Sequence, residues 1–270
     1  MSETGGFETP RMNIERIKQF LKSDKRFDDR ARDEFRELII EKDVSKKAEG
    51  SVRVKLGKTE VIVGVKMEVA TPYPDSPDEG NLMVSAEILP LSSSRIELGP
   101  PKFEAIELGR IIDRGIRESH VIDTKKLCIK EGEKVWQVFI DIYSINDDGN
   151  LLDAAGIGAL TALKMAKLPK YNEETGKANY DTHEKHLPLT GITPLSITVH
   201  KIGDKLIVDP NREEEDASET RLTIGISDGV IASLQKGNSK TFTQEEIAEA
   251  VEMAEKVWKE LFKKVEKLLK

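Results

Sequence analysis

The sequence predicts an α+β fold in which a β-hairpin followed by a helix occurs twice. One hairpin pattern spans residues 50–69, and a second alternating run around a glycine spans residues 195–208. A helical pattern follows in each half, at about 104–119 and from Thr243 onward. Apolar residues at period two indicate half-buried strands, whereas recurrence every three or four residues indicates helices. We therefore expect mixed sheets packed with helices.

The first hairpin has the most regular pattern. Apolar residues occupy alternate positions on both sides of the Gly57-Lys58 pair, as expected for a hairpin with one buried face. They are Val52, Val54, Leu56, Val61, Val63, Val65, Met67 and Val69.

A strand, a tight turn and a small-residue helix follow in the middle of the chain. The strand runs from Val135 to Ile145, the turn covers residues 146–150, and the helix continues from Asp153. Such a turn can gather backbone N–H groups around an anion. A working phosphate site usually adds hydroxyls or a cation, but here the turn continues Asn150-Leu151-Leu152. The architecture of an anion site is predicted without its chemistry.

The remaining segments are interpreted as two loops and a long terminal helix. Residues 71–80 contain three prolines and three acids, and residues 168–186 also lack a clear period, so both are expected to be loops. Thr243-Gln244-Glu245-Glu246 is a capping box that opens the last helix. Its apolar positions are Ile247, Val251, Ala254, Val257, Trp258, Leu261, Phe262, Val265 and Leu268.

Together these motifs resemble the RNase PH family of phosphate-dependent 3′-to-5′ exoribonucleases. The N-terminal match is Asp29-Arg30…Asp33-Glu34-Phe35-Arg36, with Asp29 where the family often has glycine. Gly50-Ser51-Val52, Gly57-Lys58-Thr59 and the Asp148-Gly149 turn also match. The resemblance extends over about residues 28–260 and is more specific than any single glycine motif.

The resemblance implies a duplicated β–α, RNase PH-like fold of the ribosomal-protein-S5 domain-2-like type. Residues 1–27 would form an N-terminal helical extension, and residues 28–270 the RNase PH-like domain. Its two pseudo-repeated halves would span about 28–165 and 187–270.

The chain departs from active family members at both parts of their active site. Active members hold phosphate with hydroxyls and usually an arginine where this chain has Asn150-Leu151-Leu152. They also carry two aspartates spaced by six; Asp209 matches the first, but Glu215 stands at the second position and Asp216 comes one residue late. Because in-line phosphoryl transfer depends on positioning, we expect no catalytic residue here and interpret the acidic run as an exposed loop.

The chain is thus most similar to the non-catalytic ring subunits of the archaeal exosome. The resemblance implies a ring of three heterodimers with a catalytic RNase PH-like paralogue, which degrades RNA from its 3′ end by phosphorolysis. This chain would complete the paralogue's active site, line the pore, guide single-stranded RNA and carry RNA-binding cap proteins. No cofactor is expected in it, since phosphate, with or without Mg²⁺, would serve the partner.

Two alternatives stay open at the level of sequence. The chain could itself be an active phosphate-dependent 3′-5′ exoribonuclease whose phosphate site uses backbone amides alone. It could also be an unrelated RNA- or protein-binding scaffold that shares only the α+β pattern.

Charge indicates that any RNA contact is local. The net charge of −7 disfavours a generally basic surface. Arg110, Arg114 and Arg117 are spaced by four and three residues and so share one face of the 104–119 helix. Charge pattern alone favours a solvated face paired with neighbouring acids, but the resemblance implies RNA guidance by basic side chains. We predict RNA binding by all three arginines, with Arg114 and Arg117 on phosphates.

Composition limits the remaining classes. A single cysteine, Cys128, cannot form an internal disulfide, which favours a reducing compartment and a cytoplasmic location. No apolar run approaches bilayer length and no signal-peptide core is present, so no membrane partner is expected. His183 and His186 lack the further ligands of a zinc site, so no metal site is expected.

Overall fold

The computed structural model describes residues 9–269, apart from the side chains of Glu184 and Leu269. The first eight residues of the predicted N-terminal extension lie outside the described part. The helices in this part are α1 (Arg11–Lys22), α2 (Phe103–Glu118), α3 (Leu151–Met165), α4 (Arg212–Ala217) and α5 (Gln244–Leu269), with a 3₁₀ helix at Thr124–Leu127. The strands are β1 (Leu38–Lys42), β2 (Gly50–Leu56), β3 (Thr59–Ala70), β4 (Asn81–Ile88), β5 (Cys128–Lys130), β6 (Lys134–Asn146), β7 (Lys167–Asn172), β8 (Lys177–His186), β9 (Pro194–Ile202), β10 (Lys205–Val208), β11 (Thr220–Ser227) and β12 (Val230–Gly237).

The larger sheet has the strand order β1-β2-β3-β6-β4, with β5 paired to β6. β4 runs parallel to β6 and the other pairs are antiparallel. The predicted hairpin is confirmed as β2–β3, with Val54 opposite Val61. Gly57 in its turn has a φ of +58°, and a Cβ there would lie 2.5 Å from Cδ of Arg36. Glycine therefore permits both the left-handed turn and the close approach of Arg36.

The second sheet has the order β10-β9-β11-β12 and is antiparallel throughout. α3 packs on β2 and β3 of the first sheet and on β9 of the second. A helix enclosed in this way must be apolar or small on every face, which explains the run of alanine and glycine in α3. At Gly158 a Cβ would lie 2.6 Å from Cγ2 of Val63, so a larger residue would push the helix away from the sheet.

The outer helices cover the remaining faces. α2 lies against β4 and α3, α5 lies against β9 and β11, and α1 packs on α4. Reciprocal hydrogen bonds confirm the predicted capping box of α5: Thr243 N donates to Glu246 Oε2 at 2.8 Å, and Glu246 N donates to Thr243 Oγ1 at 3.2 Å. Among the described residues, no helix has the length and apolar character needed to cross a membrane.

One of the two predicted loops is wrong. Residues 71–80 contain no helix or strand, as expected, but most of the 168–186 segment forms the antiparallel pair β7–β8. Its register shifts on both sides of Pro169. Each shift breaks the alternation of faces, so the period-two signal is lost although the strands form.

Candidate functional site

Three distant segments meet at the turn between β6 and α3. They are the N-terminal segment with Arg30 and Arg36, the turn itself, and the acidic run at residues 209–216. We call this group of side chains the Asp209 cluster, and its members are Arg26, Arg30, Arg36, Asp147, Asp148, Asn150, Asp153, Asp209, Arg212, Glu214, Glu215 and Asp216.

Every backbone N–H from residue 148 to residue 150 is bonded to an oxygen of the same chain. Asp148 N donates to Thr59 Oγ1 at 3.2 Å, Gly149 N to Asp147 Oδ1 at 3.1 Å, and Asn150 N to Glu215 Oε2 at 3.3 Å. Asn150 adopts the left-handed conformation with a φ of +59° and is the N-cap of α3. The turn predicted to have the architecture of an anion site is therefore present, and its donors are already in use.

Asp209 is buried at the centre of the cluster, with 0% exposure. Its carboxylate accepts hydrogen bonds from Arg36 N (2.7 Å), Arg36 Nε (2.9 Å), Arg36 Nη2 (2.7 Å), Arg30 Nη1 (3.0 Å) and Asn150 Nδ2 (2.8 Å). A buried carboxylate is costly unless it is paired and hydrogen-bonded. The interpretation of this run as an exposed acidic loop is thus wrong at Asp209.

The residues that follow form the helix α4 and not a loop, although Glu213 is exposed. Asn211 Oδ1 accepts from Glu214 N at 2.9 Å, and Glu214 Oε2 accepts from Asn211 N at 3.0 Å, so a capping box opens the helix. Glu214 is buried and receives two bonds from Arg26, at 2.9 and 2.6 Å. The Asn211-x-x-Glu214 spacing is a readable signal for this helix.

Arg36 supplies to the turn a cation that the local sequence lacks. Its Nη1 donates to Asp148 O at 2.9 Å, and its Nη2 donates to Gly149 O at 3.0 Å. Together with the bonds to Asp209, these contacts use its Nε and both terminal nitrogens. Arg36 lies in the family-like motif at residues 29–36, but its separation from the turn in sequence gives no indication that the two are in contact. Asp29 has a φ of +61°, which explains why glycine suits this position in the family.

Arg212 is similarly engaged by acids. Its Nη1 lies 3.0 Å from Asp147 Oδ2, its Nη2 lies 3.0 Å from Asp216 Oδ1 and 3.3 Å from Glu215 Oε2, and its Nε donates to Asp216 Oδ1 at 3.2 Å. Asp216 also forms a two-bond pair with Arg95, at 2.8 and 2.7 Å. Burial raises the pKa of Glu215 despite the opposing effect of Arg212.

Asp153 in the first turn of α3 is a buried residue that the sequence does not single out. Its Oδ1 accepts from Thr198 Oγ1 at 2.7 Å, and its Oδ2 accepts from Thr198 N at 3.2 Å and Asn150 Nδ2 at 3.1 Å. Burial raises its pKa to about 7, although these hydrogen bonds oppose the shift. Asn150 thus bridges two carboxylates, those of Asp153 and Asp209.

The three α2 arginines lie on the surface, and among the residues that the structure describes only Arg117 finds a partner. Arg117 binds Asp113 at 2.8 and 3.2 Å and donates to Leu82 O at 3.2 Å. Arg110 and Arg114 have no ion pair or side-chain hydrogen bond with any described residue. Two of their acidic neighbours are engaged elsewhere, since Asp113 pairs with Arg117 and Glu107 pairs with Arg221 at 2.6 Å. RNA contact by these three residues stays a prediction.

Comparison with known proteins gives concordant matches in sequence and structure. The sequence model of the 3′ exoribonuclease family matches with its domain 1 over residues 34–169 and with its domain 2 over residues 193–257. The exosome complex component Rrp42 of Methanosarcina mazei is 47% identical over 240 residues, covering 88% of this chain and 87% of that protein. A chain of the Archaeoglobus fulgidus exosome with RNA bound to the active site has a TM-score of 0.87 and 42% identity, covering 94% of this chain and 97% of that chain. A chain of an archaeal exosome core has a TM-score of 0.83 and 39% identity, covering 94% and 96%.

Proposed function

This chain belongs to the 3′ exoribonuclease (RNase PH) family, and on that premise we propose that it is a non-catalytic ring subunit of an archaeal exosome. It alternates with a catalytic RNase PH-like paralogue in a ring of three heterodimers. It completes the paralogue's active site, guides single-stranded RNA and offers a surface to RNA-binding cap proteins. The assembly degrades RNA from the 3′ end by phosphorolysis, with the chemistry on the paralogue.

The internal pairing of the turn N–H groups, Arg36 and Arg212 is the observation that carries the non-catalytic role. Phosphorolysis needs donors and positive charge at the position of the attacking phosphate. Here the N–H groups of the turn bond to the chain's own oxygens, and the donor groups of Arg36 and Arg212 face backbone carbonyls and carboxylates. Leu151 and Leu152 add no hydroxyl. These contacts support a centre that holds the fold together rather than a reacting phosphate.

The free α2 arginines support the RNA-guiding part of the proposal. Arg110 and Arg114 are exposed without a partner among the described residues, so they can bind phosphate without first breaking an internal ion pair. The planar guanidinium keeps its charge at all physiological pH values and suits phosphate oxygens. Arg117 contributes less to RNA binding, because its ion pair with Asp113 must break before it can bind a phosphate.

Phosphate, and Mg²⁺ where it is used, belong to the catalytic paralogue in this proposal. A cytoplasmic location is also part of it. The unpaired Cys128 supports that location, because reducing compartments keep thiols free.

Assembly in solution tests the proposal. We expect light scattering to show a discrete hexamer of equal stoichiometry when the chain is mixed with a catalytic archaeal RNase PH-like subunit, since a closed ring requires complementary surfaces. Each subunit alone serves as the control. A stable homohexamer of this chain alone, or failure to bind the catalytic subunit, would contradict the proposed role.

A further inference from the structure

The anion position at the start of α3 is occupied by a carboxylate of the same chain. We propose that Glu215 is a built-in anion that fills this position and excludes inorganic phosphate and similar oxyanions. The inference rests on the proposed non-catalytic role and assigns a residue to it.

The contacts of Glu215 are those that a bound oxyanion would make. Its Oε2 accepts the N–H of Asn150, the N-cap of α3, at 3.3 Å and lies 3.3 Å from Arg212 Nη2. A helix N-terminus and a guanidinium are common partners of phosphate oxygens in proteins. Both groups contact the same oxygen of Glu215, so an incoming anion would have to displace it.

Arg212 holds Glu215 in this position. Arg212 is itself fixed between Asp147 at 3.0 Å and Asp216 at 3.0 Å. The helix that carries both Arg212 and Glu215 is anchored by the buried Arg26–Glu214 pair, at 2.6 Å. Loss of the Glu215 carboxylate without movement of α4 would therefore leave Arg212 in place, with Nη2 facing the vacated position while it still donates to Asp216 Oδ1.

The cluster also contains a guanidinium with an unused donor. Nη2 of Arg30 is buried without a hydrogen-bond acceptor among the described residues, and that side chain is only 10% exposed. The same atom lies 3.9 Å from Glu214 Oε2, too far for a hydrogen bond. The cluster thus retains an unused donor in addition to those that Glu215 occupies.

The test replaces Glu215 and asks whether the chain gains phosphate binding. In the isolated full chain, the melting midpoint of Glu215→Ser should rise with inorganic phosphate, by about 2 to 4 °C at about five times the Kd and logarithmically with concentration beyond it. A ³¹P titration should show line broadening in parallel. The wild type should show neither response.

The matched control is Glu213→Ser, which removes one carboxylate from the exposed side of the same helix. Phosphate also stabilises proteins by exclusion from their surface, so only the excess over this control and over sodium chloride at equal ionic strength counts. A purely structural role for Glu215 would change the melting midpoint without creating phosphate dependence.

Three outcomes would overturn the inference: phosphate binding by the wild type, an equal phosphate response in Glu213→Ser, or no response in a folded Glu215→Ser. If Glu215→Ser fails to fold, the isosteric Glu215→Gln takes its place, with a smaller response expected because the amide keeps its oxygen. A different result would contradict the proposed function. Phosphate-dependent RNA decay by the wild-type chain alone would overturn both the non-catalytic role and the inference about Glu215. A folded Glu215→Ser variant without a phosphate response would overturn only the inference about Glu215.

Discussion

The Asp209 cluster and the exposed face of α2 use the same residue type in opposite ways. In the cluster, Arg36 and Arg212 direct their donors at carboxylates and carbonyls of the chain itself. On α2, Arg110 and Arg114 reach solvent without a partner in the described part of the chain. An arginine's availability to a ligand is therefore decided by how many of its donors the fold already uses, and its presence in a family-like motif does not decide it.

The difference follows from where the acids lie. The cluster draws its arginines and its acids from segments far apart in sequence, and each arginine is brought to a carboxylate. On α2, two of the nearby acids, Asp113 and Glu107, are already paired with Arg117 and Arg221. Folding thus pairs Arg36 and Arg212 within the chain, and it leaves Arg110 and Arg114 without a partner in the described part of the chain.

The largest expected effect comes from removing the Arg36 side chain from the Asp209 cluster. Arg36→Ala leaves the buried Asp209 without its main counter-charge, and loss of one member of a buried pair typically costs about 3 to 5 kcal/mol. Urea unfolding of the isolated chain measures the change in the free energy of unfolding. Arg114→Ala is the control and should change it by less than about 0.5 kcal/mol. Equal stability of the two variants would remove the contrast between the regions.

The pH dependence of Asp153 provides a second test of the buried region. Its pKa is about 7 in the folded chain and 3.8 in the reference state. Between these values the folded chain keeps a proton that the unfolded chain has lost, so this contribution to stability is present below about pH 4 and is lost as pH rises to about 7. Asp153→Asn removes the dependence. The difference in unfolding free energy between wild type and variant should fall by about 4 kcal/mol at most from pH 4 to pH 8.

Taking that difference between two proteins cancels the titration of the groups they share. His200 is one of them, with a pKa that burial and the nearby Arg221, Arg212 and Arg26 lower to about 3. Its contribution has the opposite sign, since stability is lost as pH falls below about 6.5. A wild-type-minus-variant difference that stays flat between pH 4 and pH 8 would show that Asp153 does not carry the shift.

A smaller effect is expected from the α2 arginines, and it is measured as RNA binding by the assembled ring. Replacing Arg110 and Arg114 by alanine should weaken RNA affinity about tenfold at low salt. The slope of log affinity against log salt should fall by about 1 for each phosphate that the variant no longer binds. Fluorescence anisotropy with a single-stranded RNA over a salt series measures both quantities.

Arg117→Ala sharpens this test as a matched variant on the same helix. Its effect should be smaller than that of Arg114→Ala, because Arg117 must exchange its contact with Asp113. The sequence-based prediction, which rests on the family resemblance, names Arg114 and Arg117 as the phosphate contacts. An unchanged salt slope in the Arg110/Arg114 double variant would contradict RNA contact by the α2 arginines.

The sequence predicts best those elements whose pattern is carried by residues close together in the chain. The β2–β3 hairpin and α5 have uninterrupted apolar periods, and each begins or turns at a recognisable residue, Gly57 or Thr243. The β7–β8 pair escapes prediction because register shifts around Pro169 break the period. α4 escapes it although its capping residues are in the sequence, because the acidic composition around it suggests solvent exposure.

The Asp209 cluster cannot be assembled from sequence spacing. Arg36 and Asp209 are 173 residues apart, and Asp148 lies 112 residues from Arg36. Each residue is visible as part of a motif, but only the packing of α3 between two sheets brings the motifs together. The sequence shows that the turn itself has no cation. It does not show that Arg36 reaches the turn, because that contact depends on the tertiary fold.

The most direct test is phosphate-dependent decay of a single-stranded RNA by this chain, by a catalytic archaeal RNase PH-like subunit, and by the two together. The internal pairing of the turn, Arg36 and Arg212 predicts no decay by this chain alone. The free α2 arginines and the shared ring predict faster decay by the mixture than by the catalytic subunit alone. Phosphate-dependent decay by the isolated chain would contradict the non-catalytic role, because it would show that Asp209, Glu215 and the turn at Asn150 form a working active site.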